Sequence, residues 1–296
     1  MAVLAWGLLF NQYLILIYLI FIFLYYIGYR MTKTNDNYPF HKKFKQNVLT
    51  GNFENRWFMK ACINTAKVKK LIDEYKNKEN PIKLTYSHFG LKALGMGMIA
   101  GRNRYGKLSF GNFIEGKQGD LSLVVNVKGN IQVVTARKCD SNGILEIADQ
   151  MKGKIRKLKL KKDKVANKRT DIMKMLPTFF TDILFHVSAF FIYDFCLGIK
   201  PSNLKEDEFG YGYLTNVTEF GIYDFFTANA HVSRANFIAA LNTPFKTSEV
   251  DSNGEIQIIE RIHCNIVFDQ RLLSFIDATE FHTAFMKVWD NPEDYL

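Results

Sequence analysis

The sequence predicts an α/β domain that follows one transmembrane helix. Three observations support this fold class: an uncharged apolar N-terminus, two strand-like segments that meet at a turn, and apolar residues repeated at helical spacing near the C-terminus. At 296 residues the chain can bury one substantial core and retain a separate segment. Hydrophobic residues make up 48% of the chain and aromatic residues 15%, which favours contact with lipid or with large partner surfaces.

The N-terminal segment has the length and composition of a membrane span. No side chain before Arg30 is charged, and residues 14–24 form an unbroken apolar run. About 20 such residues cross a bilayer. A cleaved signal peptide would need a basic start and a small-residue cleavage site, and neither is present. Trp6 and Tyr25 stand where aromatic belts form. We therefore predict a transmembrane helix over residues 1–30.

Basic residues follow this span and none precede it. Arg30, Lys33 and Lys42 are among them, so the positive-inside tendency places the C-terminal domain on the cytoplasmic or matrix side. Residues 31–52 contain Asn, Asp, Gly and Pro and are predicted to be a tether. The remaining residues, 53–296, are predicted to form the domain.

Within the domain, each element has its own local signal. We predict a strand at 53–64, a Lys-rich helix at 65–78, a Gly-rich helix at 84–100 and two strands within 124–136. The glycines of the second helix predict close backbone packing. Near the C-terminus, Asp277 and Glu280 are predicted to cap a helix whose core face is formed by apolar residues at helical spacing, namely Phe281, Ala284, Phe285, Val288 and Trp289.

A hydrophobic helical insertion at about 160–210 interrupts this organisation. The basic run 152–169, which begins before the insertion, is interpreted either as a solvated helix face or as a contact for anionic lipid or an acidic partner. The apolar part of the insertion, 173–198, is long enough to span a bilayer, but Asp182, His186 and Asp194 would be costly in lipid. We expect a helix that lies at the membrane surface or against a partner, with a second span as the alternative.

Several classes of site lack a signal in the sequence. The four cysteines show no spacing for zinc or for a disulfide framework, so no metal site is predicted. The glycines form no phosphate-binding loop, so no nucleotide cofactor is predicted. Nucleic acid is not predicted as a partner, because the basic run has no aromatic interleaving and no recognisable binding motif.

The stretch Phe268–Phe281 carries a family resemblance. It reads Phe-Asp-Gln-Arg-Leu-Leu-Ser-Phe-Ile-Asp-Ala-Thr-Glu-Phe. This resembles the signature Phe/Tyr-Asp-His-Arg-x-x-Asp-Gly-x-x-Ala-x-x-Phe in the catalytic domain of the dihydrolipoamide acyltransferases of 2-oxoacid dehydrogenase complexes. Four further blocks resemble the same family in the right order: Ile82–Leu94, Asp120–Arg137, Ile144–Ala148 and Leu214–Gly221. The resemblance implies an α+β two-layer sandwich, the chloramphenicol acetyltransferase-like fold.

The resemblance also implies that the chemistry has been lost. In that family the signature histidine takes a proton from a thiol, and positioned general-base catalysis contributes roughly 10²–10⁴ in rate. Gln270 stands at that position and cannot titrate. Ser274 and Phe275 replace the family's Asp-Gly pair, while Thr215 keeps the hydroxyl that stabilises an oxyanion in the family. Among the six histidines, His263 is the one candidate for a relocated base, and about 23 Å of extended strand separates it from Gln270.

These expectations combine into one hypothesis with an alternative. The chain is predicted to be a catalytically inactive, acyltransferase-like accessory subunit of a mitochondrial inner-membrane complex, either of the respiratory chain or an ATP synthase, with its domain on the matrix side. Its expected partners are membrane lipid, other subunits of the complex and, because the family builds trimers, a homotrimer or mixed trimer. No cofactor is expected. The alternative is a membrane-bound acyltransferase that uses coenzyme A thioesters with Thr215 as the oxyanion donor.

Overall fold

A computed structural model describes most of the predicted domain and part of the N-terminal segment. The described residues are 13–27, 56–78, 82–100, 105–110, 112–116, 118–127, 130–160, 177–195, 209–227, 234–250, 253–273 and 275–296. The predicted tether and the second half of the 152–169 basic run therefore lie outside the described residues.

The centre of the domain is a mixed seven-stranded sheet. Its strands are β1 (Arg56–Asn64), β4 (Leu121–Val127), β5 (Asn130–Ala136), β6 (Gly212–Asn216), β7 (Phe237–Leu241), β8 (Phe245–Val250) and β9 (Ile256–Asp269). The strand order is β1-β9-β7-β6-β4-β5, and β8 pairs with the first half of β9. Strand β6 runs parallel to both β4 and β7, while the other pairs are antiparallel. Strands β2 (Gly106–Ser109) and β3 (Asn112–Glu115) form a separate hairpin.

Six α-helices accompany the sheet in the described part of the chain. They are α1 (residues 13–27), α2 (Ala66–Lys76), α3 (Tyr86–Ile99), α4 (Ile144–Lys159), α5 (Thr178–Ala189) and α6 (Phe275–Asp290). A π-helical turn, Phe190–Asp194, continues α5, and a 3₁₀ turn, Pro292–Tyr295, follows α6.

One face of the sheet and the helices α2, α3, α4 and α6 share one hydrophobic core. Its centre is aromatic: the ring of Phe281 on α6 lies 4.9 Å from that of Phe268 on β9 and 5.9 Å from that of Phe237 on β7. Each ring buries a large apolar area, and the edge-to-face contacts add to that burial. A sheet covered by helices in this way is the predicted two-layer α/β arrangement.

The opposite face of the sheet is only partly covered. Because side chains alternate along a strand, Thr215 points away from its neighbour Leu214, which packs against Gly90 of α3. Tyr213 and Ile238 form a small second cluster on this outer face. At its β5 edge, Ile131 and Val133 are exposed. The outer face is the side of the domain on which Thr215 lies.

Most predicted elements are confirmed, and one prediction is wrong. The strand and helices predicted at 53–64, 65–78 and 84–100 are β1, α2 and α3, and the predicted hairpin is β4-β5. The capping pair is misplaced because α6 already begins at Phe275, so Asp277 lies within the first turn. A carboxylate in the first turn interacts favourably with the helix dipole. The side chains of Phe281, Phe285, Val288 and Trp289 are buried, as predicted for the core face of this helix.

The N-terminal helix α1 is apolar on every side. All side chains from Tyr13 to Tyr26 are large, hydrophobic and exposed. In the described part of the chain, no helix combines the length and the hydrophobicity required to cross a membrane. Residues 1–12 and 28–30 of the predicted span are not among the described residues.

Candidate functional site

The first part of the candidate site lies at the carboxyl end of β6. Thr215 is half-buried on the outer face between Val124 of β4 and Ala240 of β7. Next to it, the Asn216 amide donates to the Ser87 hydroxyl at 2.8 Å and accepts from the backbone N–H of Thr218 at 2.9 Å. These bonds fix the strand end, so the Thr215 hydroxyl is presented beside apolar side chains. A hydroxyl in that setting can stabilise an oxyanion.

The second part is the corner between β9 and α6, which is held by a network around Asp269. The buried Asp269 carboxylate accepts from the Arg271 guanidinium at 2.6 and 3.0 Å and from the Arg271 backbone N–H at 2.9 Å. The hydrogen bond with Asp269 raises the pKa of Arg271 above its usual value. Below the corner, Trp57 stacks on Phe268 with ring centres 4.2 Å apart, and its indole N–H donates to the Leu273 carbonyl at 2.9 Å. These contacts connect Trp57, Phe268, Asp269, Arg271 and Leu273 in the described part of the corner.

Gln270 occupies the middle of this corner and is half-buried. A glutamine amide donates and accepts hydrogen bonds but has no accessible pKa, so it cannot take a proton from a thiol near neutral pH. Ser274 lies outside the described residues. Phe275 is the first residue of α6, and its side chain is not described.

Thr215 and Gln270 lie far apart within one chain. Thr215 pairs with Ala240, and Ala240 pairs with Asn265 of β9. Gln270 follows Asn265 by five residues, which is about 17 Å along the strand at about 3.4 Å per residue. The two halves of the site therefore lie at opposite ends of the sheet.

His263 lies at the Thr215 end of β9, not at the Gln270 end. Its Nδ1 lies 3.2 Å from the Tyr223 carbonyl, and its ring centre is 4.5 Å from that of Phe245. When that carbonyl accepts a hydrogen bond, Nδ1 carries the proton and Nε2 is the basic nitrogen. The strand register keeps His263 seven residues from Gln270, so it does not replace a base at the β9–α6 corner.

His88 also has a defined hydrogen-bond partner. It is buried in the first turn of α3, and its Nδ1 accepts the backbone N–H of Thr85 at 3.2 Å. Burial lowers the pKa of His88 to about 4. The imidazole is therefore neutral near pH 7 and closes the N-terminus of the helix.

A polar cluster that the sequence did not predict lies on the outer face near Thr215. The Asn265 amide donates to the Asp224 carboxylate at 2.6 Å and to the Phe225 carbonyl at 3.1 Å. Lys60 donates to the same carboxylate at 2.7 Å. The hydrogen bonds from Lys60 and from Asn265 hold the pKa of Asp224 below its usual value. The cluster ties the segment after β6 to β9 and β1. Strand register pairs Lys60 with Asn265, and the segment after β6 brings Asp224 to them, so no sequence motif could have revealed the cluster.

Several solved structures share the architecture of this chain. A probable dihydrolipoamide acetyltransferase from Listeria monocytogenes matches with a TM-score of 0.56 at 14% identity, over 88% of this chain and 96% of the other. The cubic core of a pyruvate dehydrogenase multienzyme complex matches with a TM-score of 0.57 at 11% identity, over 86% and 88%. A chloramphenicol acetyltransferase matches with a TM-score of 0.52 at 8% identity, over 86% and 97%.

The chain has the chloramphenicol acetyltransferase-like fold. This confirms the fold expected from the sequence resemblance. Neither a protein family nor a curated protein sequence matches the chain. Identities this low establish a shared architecture, within which Thr215 lies near the end of a central strand and Gln270 follows the long strand β9.

Proposed function

We propose that this chain is a catalytically inactive, acyltransferase-like structural subunit of a mitochondrial inner-membrane complex. The observation that carries the proposal is Gln270, in the corner where the resembled signature has its histidine. The domain has the acyltransferase-like fold and Arg271 pairs with Asp269 in the corner, but Gln270 between them has no titrating group. A domain that keeps its packing and loses its base is suited to assembly.

A membrane-bound acyltransferase that uses coenzyme A thioesters is the second candidate function. The presentation of the Thr215 hydroxyl between Val124 and Ala240 favours it, because an acyl group could lie there beside an oxyanion donor. A thiol is partly ionised near neutral pH, and the thiolate fraction can attack a thioester slowly without a positioned base.

Acetyl transfer from acetyl-coenzyme A to dihydrolipoamide separates the two candidates. We expect the purified full chain to give no turnover above the uncatalysed rate. Gln270→His should also give none, because Ser274 and Phe275 still replace the resembled Asp-Gly pair. Thr215→Ala is the matched control: turnover by the wild type that disappears in this variant would establish the enzyme and overturn the structural proposal.

The proposed membrane attachment rests on the apolar N-terminus. Helix α1 is apolar all round. A helix of this kind is stable either when protein surrounds it or when it lies in lipid, and lipid needs no further protein partner. The basic flank after the span favours the matrix side for the domain. The proposal therefore predicts that carbonate washing of isolated inner membranes leaves the chain in the pellet together with subunits of a respiratory or ATP synthase complex. Recovery in the soluble matrix fraction would contradict it.

The partners proposed for the domain include copies of itself or related chains in a trimer. The separation of about 17 Å between Thr215 and Gln270 in one chain supports this, since the two ends of the sheet can meet only across a boundary between chains.

A further inference from the structure

Helix α5 presents a continuous apolar face to its surroundings. Phe180, Ile183, Leu184 and Val187 recur at the i, i+3, i+4, i+7 spacing that places side chains on one side of a helix, and all four are exposed. Phe191, on the π-helical turn that follows, is exposed as well. These five residues are called the α5 apolar face below. A face of this size on a soluble surface marks a contact with a partner or a membrane.

The α5 apolar face is held in place by a partly buried ion pair at its C-terminal end. The Asp194 carboxylate receives two hydrogen bonds from the Arg234 guanidinium, at 2.5 and 2.6 Å, and the Ser109 hydroxyl donates to the Asp194 carbonyl at 2.5 Å. The two hydrogen bonds from Arg234 compensate the negative charge of Asp194 at the end of the helical segment. Together with the Ser109 bond, they connect this segment to the β2-β3 hairpin and to the start of β7. The apolar face is therefore fixed in its exposed orientation.

The same segment is continuous with helix α1 through an aromatic junction. The Phe110 ring lies 5.4 Å from that of Tyr25 on α1 and 6.0 Å from that of Phe190. Between them is an apolar cleft of about 280 Å³, lined by Phe21, Ile22, Tyr25, Phe110 and Phe190. The occupant of these surfaces could be a protein or lipid. A protein docked on α5 would leave the far sides of α1 exposed, whereas lipid covers α1 and α5 at once. The junction between the two helices therefore favours lipid.

We propose that the α5 apolar face inserts into the bilayer beside α1 and that lipid acyl chains cover the face and the cleft. The inference rests on the proposed membrane attachment through α1 and adds a second contact to it. An amphipathic helix of this kind lies in the interface plane, with its apolar face about 5–10 Å below the headgroups. Two contacts fix the orientation of the domain on the membrane, which a single span joined by a tether does not.

The test places a tryptophan at chosen positions of the full chain, reconstituted in phosphatidylcholine vesicles with or without brominated acyl chains. Val187→Trp and Leu184→Trp report the α5 apolar face, and Leu16→Trp reports α1. His282→Trp, at an exposed position of α6, is the matched control. The native tryptophans are common to all variants, so the added emission is read as a difference. Two variants on the same face guard against local misfolding at one of them.

We expect brominated lipid to lower the added emission at positions 184 and 187 by about twofold or more, with little quenching by aqueous iodide. His282→Trp should show the reverse. Quenching of Leu16→Trp by brominated lipid, together with iodide quenching at 184 and 187, would overturn the inference and leave the α1 anchor standing. Protection of 184 and 187 from both quenchers would mean that protein covers the face, which also overturns it. Loss of lipid quenching at Leu16 would instead remove the membrane attachment itself.

Discussion

At the residue scale, His88 shows how the fold uses a histidine without giving it a catalytic role. Its ring is buried in the first turn of α3 and accepts the Thr85 N–H, so it satisfies one of the free amides at the helix start. Accepting that bond requires the neutral ring, and burial favours the same state. The result is a group whose protonation opposes folding.

This arrangement predicts a pH dependence of stability. Burial lowers the His88 pKa to about 4 in the folded chain, and in the unfolded chain it returns to about 6.5. The unfolded state therefore binds a proton that the folded state does not, so stability is full above about pH 6.5 and falls as the pH drops towards 4, by about 3 kcal/mol for this group. We expect urea unfolding at several pH values to show this loss in the wild type and a smaller one in His88→Asn, whose amide oxygen can accept the same N–H. His282→Asn controls for the removal of a histidine, and parallel curves for wild type and His88→Asn would contradict the prediction.

At the scale of elements, α3 depends on its glycines for its position. A Cβ on Gly95 would lie 2.6 Å from the Cys139 carbonyl carbon and 2.7 Å from its oxygen, and a Cβ on Gly97 would lie 2.9 Å from the Phe281 ring. The helix therefore contacts the backbone after β5 and the core ring of α6 directly. The unusual glycine content of the segment predicts this close packing.

Two glycine substitutions test that packing against simple helix propensity. Gly95→Ala should destabilise the chain by about 1–3 kcal/mol, because backbone atoms cannot yield as a side chain can. Gly153→Ala lies in α4 with nothing within 4 Å of the new Cβ, so it should gain up to about 1 kcal/mol from helix propensity alone. Denaturant midpoints measure both. Equal shifts of the same sign would show that propensity, not close approach, governs α3.

Local signals in the sequence predict these elements, but the contacts between residues distant in sequence depend on how the strands pair and how the chain crosses the sheet. Helical spacing identifies the core face of α6, and a turn at Gly129 identifies the β4-β5 hairpin, because both depend on neighbours within a few residues. The distance between Thr215 and Gln270, the Asn265–Asp224 contact and the Asp194–Arg234 pair depend on strand register or on chain crossings. Residues that are 40 positions or more apart carry no periodic signal of their proximity. The first turn of α6 was misplaced because Asp277 suits a dipole contact as well as a cap.

At the scale of the whole molecule, exposed apolar residues lie on the β8-β9 hairpin and at the β5 edge of the sheet. On the β8-β9 hairpin, which extends beyond the main sheet, Val250, Ile256 and Ile258 are exposed by 64%, 75% and 75%. At the β5 edge, Ile131 is exposed by 76%. Isolated exposed side chains are ordinary, but a group on a projecting hairpin is typical of a contact between chains. It gives the proposed trimer a surface that is separate from the membrane-facing helices.

The assembly is therefore expected to depend on that hairpin. In a free monomer, Ile258→Lys replaces an apolar side chain that is already in water and should change stability by less than about 0.5 kcal/mol. Across an interface the same change buries a charge without a partner, which costs several kcal/mol and disrupts association. Native mass spectrometry in mild detergent should show the wild type as a trimer of itself or with related chains, and Ile258→Lys as a monomer. His282→Lys, on the exposed side of α6, should keep the trimer. A wild-type monomer would rule out this interface because no trimer forms. A trimer that survives Ile258→Lys unchanged would rule it out as well, because the hairpin is then not buried between the chains.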